Sequence, residues 1–192
     1  MIYLIAGLVL FLGVHSVRIV ADDWRAARIS GIGEGPWKGL YSLASLIGFV
    51  LIVYGYGLSR QAPVDLWMPP AWTRHLTALL TLPVFILLAA AYVPGTAIKA
   101  ALKHPMMLGV KLWALAHLLS NGRLDEVMLF GAFLLWSALA YRAAGQRDRR
   151  QGVVYQAAGW SRDVFAVAIG LLAWGAFALY LHGVLIGVRP FG

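Results

Sequence analysis

The chain has 192 residues, of which 61% are hydrophobic and only 12% charged, with a mean hydropathy of +0.76. A water-soluble globule carries roughly half apolar and about a quarter charged residues, so this composition excludes one and predicts an all-α integral membrane protein, a single domain over 1–192. The net charge of +8 lies beside apolar runs, a pattern that anchors a chain to anionic lipid head groups and argues against a nucleic-acid partner.

Apolar stretches occur at 1–20, 37–58, 72–93, 105–119, 127–141 and 164–188, which predicts a bundle of five to six transmembrane helices. Several approach the ~20 residues that a crossing helix needs, whereas the fourth and fifth are nearer ~15, where a re-entrant or buried helix competes. The first lacks the basic start and small-residue cleavage site of a signal peptide and is expected to be a retained span. The Gly31–Pro36 run is expected to break the first connection, and Met68-Pro69-Pro70 and Val93-Pro94-Gly95 bracket the third span. Trp37, Trp67, Trp72 and Trp160 lie near predicted span ends, where amphipathic rings prefer the head-group zone. Gly7, Gly13, Gly48, Gly55 and Gly57 would let neighbouring backbones approach closely.

Lysine and arginine concentrate in alternate connections. Arg18, Arg25, Arg28 and Lys38 follow the first span, Lys99 and Lys103 the third, and Arg142, Arg147, Arg149, Arg150 and Arg162 the fifth. The second and fourth connections hold only Arg60, Arg74 and Arg123. The positive-inside rule then predicts both termini on the outer side of the membrane.

With no cysteine, any metal must be held by His, Met or oxygen. Five histidines, His15, His75, His104, His117 and His182, lie in or beside the apolar stretches, where ionisable side chains are costly. His104 and His117 are separated by about 220° beyond three full helical turns, so they face different directions. A membrane haem commonly takes its axial histidines from two helices, and His15 is the candidate partner for His117. Arg18 follows His15 as a cation for a propionate. Trp113 and Ala114 precede His117 as a ring wall and a small residue making space, while Ser120 and Asn121 follow as partners for the free imidazole nitrogen. The alternative for each is a neutral histidine bonded to a neighbouring helix, with Arg18 and Lys111 as snorkelling side chains. Depth opposes the pairing: a fourth span starting at Lys103 puts His117 ~20 Å below the basic face but His15 only ~5 Å below Arg18. His75 and His182, near the outer face, are candidates for a proton or ion path.

The segments Gly13-Val14-His15-Ser16-Val17-Arg18, Trp37-Lys38-Gly39-Leu40-Tyr41, Lys103 through Gly122 and His182-Gly183-Val184-Leu185-Ile186-Gly187-Val188 together resemble the NnrU family of bacterial membrane proteins. The resemblance implies a bacterial inner-membrane protein, with periplasmic termini, linked to denitrification and nitrogen-oxide metabolism. The family is similar to 15-cis-zeta-carotene isomerase, a membrane enzyme that uses haem b on a polyene. That likeness implies haem b, His15 and His117 as its iron ligands, and an apolar polyene or a nitrogen-oxide ligand. The isomerase has a cysteine where this chain has Ala114, so thiolate ligation there is impossible. A non-enzymatic haem or nitric-oxide accessory role fits the same residues. Lys103-His104-Pro105-Met106-Met107-Leu108-Gly109 also resembles a stretch of S-adenosylmethionine-dependent membrane methyltransferases acting on isoprenylcysteine or phospholipids. Lys103 and Met107 replace its Arg and Tyr, and the paired glutamates of those enzymes are missing near the chain's end.

Overall fold

The computed structural model describes residues 1–191 as helices α1 (Ile2–Val20), α2 (Asp22–Ile32), α3 (Glu34–Ser59), α4 (Trp72–Tyr92), α5 (Ala97–Leu102), α6 (Pro105–Ser120), α7 (Leu124–Gln151), α8 (Trp160–Ala176) and α9 (His182–Ile186). A π-helical segment, Phe177–Leu181, joins the last two. Five helices are long and apolar enough to cross a membrane: α1, α3, α4, α7 and the continuous Trp160–Ile186. The shorter α6 is the sixth member of the bundle. Its 16 residues reach about 24 Å, a little less than the ~30 Å hydrocarbon layer. No strand occurs among the described residues, only an isolated antiparallel bridge between Asp65 and Arg123.

Packing runs in the order α3, α1, α7, α6, α4, α8. The α1–α3 seam is close because it is built on glycine: a β-carbon on Gly7 would lie 2.6 Å from the Ile52 amide nitrogen, and one on Gly48 would lie 2.7 Å from that of Phe11. Gly55 abuts the Leu4 backbone in the same way, while Gly13 and Gly57 face open space and play no such part. Leu4, Leu8 and Ile52 form the adjoining apolar core, joined by Leu129 and Phe133 of α7. Much of the outward surface of α3, including Leu43, Ile47 and Val50, is exposed, as befits a helix whose solvent is lipid.

The helices start and stop where local chemistry requires. The Gly31–Pro36 break narrows to Gly33 alone, at φ 89°. Pro36 instead sits in the first turn of α3, where a missing N–H costs nothing. The first connection therefore contains α2, a charged helix with no buried residue. The fifth stretch extends from the expected 127–141 to 28 residues, because Arg, Ala and Gln, all good helix formers, make up most of 142–151 and carry the helix past Gly145 until Gly152 ends it in the left-handed region at φ 63°.

Contacts between connections sort by face. The Ala158 amide donates to Gly95 oxygen at 2.8 Å, and the Asp163 carboxylate accepts from the Ala97 and Ile98 amides, each at 3.0 Å. These join connections rich in Lys and Arg, hereafter the basic face. At the opposite face the Leu66 and Trp67 amides both donate to Gly122 oxygen, and Arg60 donates to Ile186 oxygen at 2.6 Å.

Candidate functional site

His15 and His117 are held by the same device. Nδ1 of His15 lies 2.7 Å from Phe11 oxygen, and Nδ1 of His117 lies 2.8 Å from Trp113 oxygen, each carbonyl one helical turn earlier. A carbonyl only accepts, so in both rings Nδ1 carries the proton and Nε2 keeps its lone pair. Metal-ligating histidines are oriented in this manner, with one nitrogen tied to a backbone carbonyl and the other presented to the ion. The expected partners of the His117 ring do something else: Asn121 Nδ2 donates to His117 carbonyl oxygen at 2.8 Å and to Ser120 Oγ at 3.3 Å.

The walls of the two sites are aromatic. His15 stacks on Phe11 at 4.2 Å between ring centres and meets Tyr41 of α3 at 5.3 Å and Trp136 of α7 at 6.0 Å. His117 stacks on Phe130 at 4.6 Å and meets Trp113 at 5.3 Å. Both histidines thus border α7, His15 against Trp136 and His117 against Phe130. Those two contacts lie about 9 Å apart along the helix at ~1.5 Å per residue. The depth mismatch expected from the sequence is present. It is reduced by the backbone bonds, since α1 and α6 run in opposite directions across α7 and each imidazole leans toward the preceding turn of its own helix.

Between those turns lies Phe133, 5.9 Å from Phe11 and 5.6 Å from Trp113. The donors therefore suit an iron, but the slot that a porphyrin would need is filled by Phe11, Phe133 and Trp113. Ala114 is fully buried in helix packing and makes no space of the kind expected. Arg18 is 58% exposed at its side chain and lies 4.0 Å from Asp22. Among the described residues, no three His, Cys, Asp or Glu side chains are gathered as for one metal ion.

The remaining histidines are dispersed. His75 is exposed. His182, at the end of the π-helical segment, differs: its Nδ1 lies 2.6 Å from the oxygen of Val188, six residues later and past the helix end. His104 precedes Pro105, which takes the first position of α6, and its Nε2 lies 2.8 Å from Asp148 Oδ2, although out of hydrogen-bond alignment. Tyr155 donates to the same carboxylate oxygen at 3.0 Å. Burial first, and the neighbouring Asp148 second, raise the Tyr155 hydroxyl above its ordinary range. His104 is thus part of a clasp between connections at the basic face.

A second polar network, which the sequence did not disclose, closes the opposite face. Asp125 and Glu126 are only 3% and 8% exposed. Arg123 pairs with Asp125, Ser59 Oγ donates to Asp125 Oδ2 at 2.7 Å, and Tyr56 donates to Glu126 Oε1 at 3.4 Å. Buried carboxylates persist only when paired and bonded in this way. Phe130, Phe133 and Trp136 form a stripe on α7 whose three-residue spacing marks one helix face. Trp136 has a buried indole nitrogen without a partner. It also lines an apolar groove of about 310 Å³ between α1 and α7 with Leu12, Gly13, Ser16, Leu135 and Leu139.

Neither the comparison with curated proteins nor that with solved structures returned a match. The sequence model described as NnrU protein matches residues 3–190, nearly the whole chain and every helix just described. The chain belongs to the NnrU family.

Proposed function

We propose that this membrane protein binds haem b, with His15 and His117 as axial ligands. The observation that carries the reading is the paired geometry of the two rings: each Nδ1 is bonded to a carbonyl one turn back, and each Nε2 lone pair is left free. Trp113 would flank the porphyrin beside His117, while Arg18, 58% exposed beside Asp22, is left to the membrane surface. Phe11, Phe133 and Trp113 meet between the two histidines, so a porphyrin there would require these rings to move. A haem so held supplies a Lewis-acidic, redox-active iron tuned by its axial ligands. The family resemblance suggests a nitrogen-oxide ligand or a polyene substrate for it. The distribution of Lys and Arg supports an orientation with both termini on the outer side, and the family resemblance suggests a bacterial inner membrane.

The test is an absorption spectrum of detergent-purified protein produced with haem supplied. Dithionite reduction should sharpen the visible bands. His15→Ala and His117→Ala should each abolish the six-coordinate spectrum, and His104→Ala, which removes only the clasp, should leave it intact. A six-coordinate spectrum that survives either of the first two substitutions overturns the shared site.

A further inference from the structure

We propose that Arg18, Arg25 and Arg147 form a binding site for an anionic membrane lipid, with its phosphate at the basic face and an acyl chain in the groove between α1 and α7. Arg147 donates to Arg18 carbonyl oxygen at 3.1 Å, which places its guanidinium at the end of α1. Arg18 and Arg25 share one oxygen of Asp22 at 4.0 and 3.6 Å. Arg18, Asp22, Arg25 and Asp148 all lie close enough to act electrostatically on Arg147. Against the three guanidiniums stand the two carboxylates of Asp22 and Asp148, so the excess is one positive charge.

Two further observations identify the missing anion as a lipid phosphate. The cluster stands at head-group level, where Trp24 and Trp37 pack edge to face at 5.9 Å, as interfacial tryptophans do. Directly below it, the apolar groove runs between the same two helices: Ser16 and Leu139 line its basic end, and Arg18 and Arg147 follow them in sequence. Arginine forks suit phosphate oxygens, and a groove without charge suits a hydrocarbon chain. A soluble anion would use the first feature only.

Native mass spectrometry of protein released from mixed micelles of phosphatidylglycerol and phosphatidylcholine tests this. The protein should retain phosphatidylglycerol preferentially. An Arg25→Gln, Arg147→Gln double variant should lose about thirtyfold of that preference, at about 1 kcal/mol per arginine near an anionic surface. Gly13→Leu, at a position where an added β-carbon meets nothing within 4 Å, should fill the groove and lower retention while helicity by circular dichroism is unchanged. Arg147→Lys should keep most of the preference. Equal retention of both lipids, a double variant that matches the parent, or displacement of the lipid by inorganic phosphate overturns the proposal. So does loss of the lipid on haem loading, which would assign the cluster to the cofactor's own acid groups.

Discussion

His15 and His117 share a backbone device but not a setting. His15 is held on a seam where α1 and α3 touch through glycine, among the rings of Phe11, Tyr41 and Trp136. His117 is on the shortest helix of the bundle, and the neighbouring end of α7 is fixed by a charged network of Arg123, Asp125 and Glu126. One site depends on close backbone packing, the other on electrostatics. The two should therefore fail independently, and the ways to make them fail measure how separate they are.

The largest effect belongs to the glycine seam. Gly48→Val places a β-carbon 2.7 Å from the Phe11 amide nitrogen and 3.0 Å from its α-carbon, so α1 must move away from α3. Overpacking costs about 1–3 kcal/mol, and a backbone obstacle puts this variant at about 3. Thermal unfolding in detergent should show it. Haem binding should fail with it, because Phe11 carries both the ring under His15 and the carbonyl that orients it. An unchanged melting temperature would mean that the seam is looser than its geometry indicates.

Next in size is Arg123→Ala, which leaves a carboxylate that is 3% exposed without its cation, still bonded by Ser59. Breaking a buried pair costs about 3–5 kcal/mol; the 21% exposure of the Arg123 side chain places this case nearer 2–3. Loss of the Leu124 amide bond to Val64 oxygen, read by hydrogen exchange, should accompany it. Protection of α1 should not change. If α1 opens together with the α6–α7 end, the two settings are coupled through α7 and the contrast between them is wrong.

These differences were only partly legible in the sequence. The spans were, because apolar runs of nearly membrane length have few other uses, and so were Trp37, Trp67, Trp72 and Trp160 at their ends. The two imidazoles were legible as candidates and the depth mismatch followed from helical rise. The plug was not. Phe133 is an ordinary apolar residue in a span, and only the crossing of α1, α6 and α7 makes it the ring between Phe11 and Trp113. The Arg123 network was equally hidden: Asp125 and Glu126 read as a polar connection because nothing local says that Ser59 and Tyr56 will cover them. The extension of α7 past Tyr141 escaped because an apolar pattern marks only the part of a helix inside lipid.

Phe133→Ala sharpens the comparison by removing what separates the two histidines. Truncating a phenylalanine in a core costs about 3–5 kcal/mol when it is fully buried; Phe133 is only partly so, which lowers the expected loss to about 2. Yet the same change removes the ring that lies between Phe11 and Trp113, so haem occupancy at a limiting haem concentration should rise while the protein without added haem melts earlier. Occupancy that falls in step with stability would show that Phe133 merely packs the bundle.

The smallest effect tests the basic end. Tyr155→Phe removes one hydrogen bond to Asp148, worth about 1 kcal/mol, and loosens the connection that His104 helps to clasp. The Tyr155 hydroxyl is raised above its ordinary value by burial and then by Asp148, so its contribution is fully present below the unfolded value of about 10. It is lost as pH rises through the higher folded value, because only the protonated hydroxyl can donate to a carboxylate. Proteolysis within 152–159 should accordingly quicken at alkaline pH in the parent protein. In Tyr155→Phe it should be fast already near neutrality and change less on going alkaline. Because the clasp joins α6 to α7 at the end remote from His117, the His117 ring should keep its bond to Trp113 oxygen throughout. A Tyr155→Phe variant that altered haem ligation would show that the connections at the basic face set the position of α6 along α7, and with it the level at which His117 meets His15.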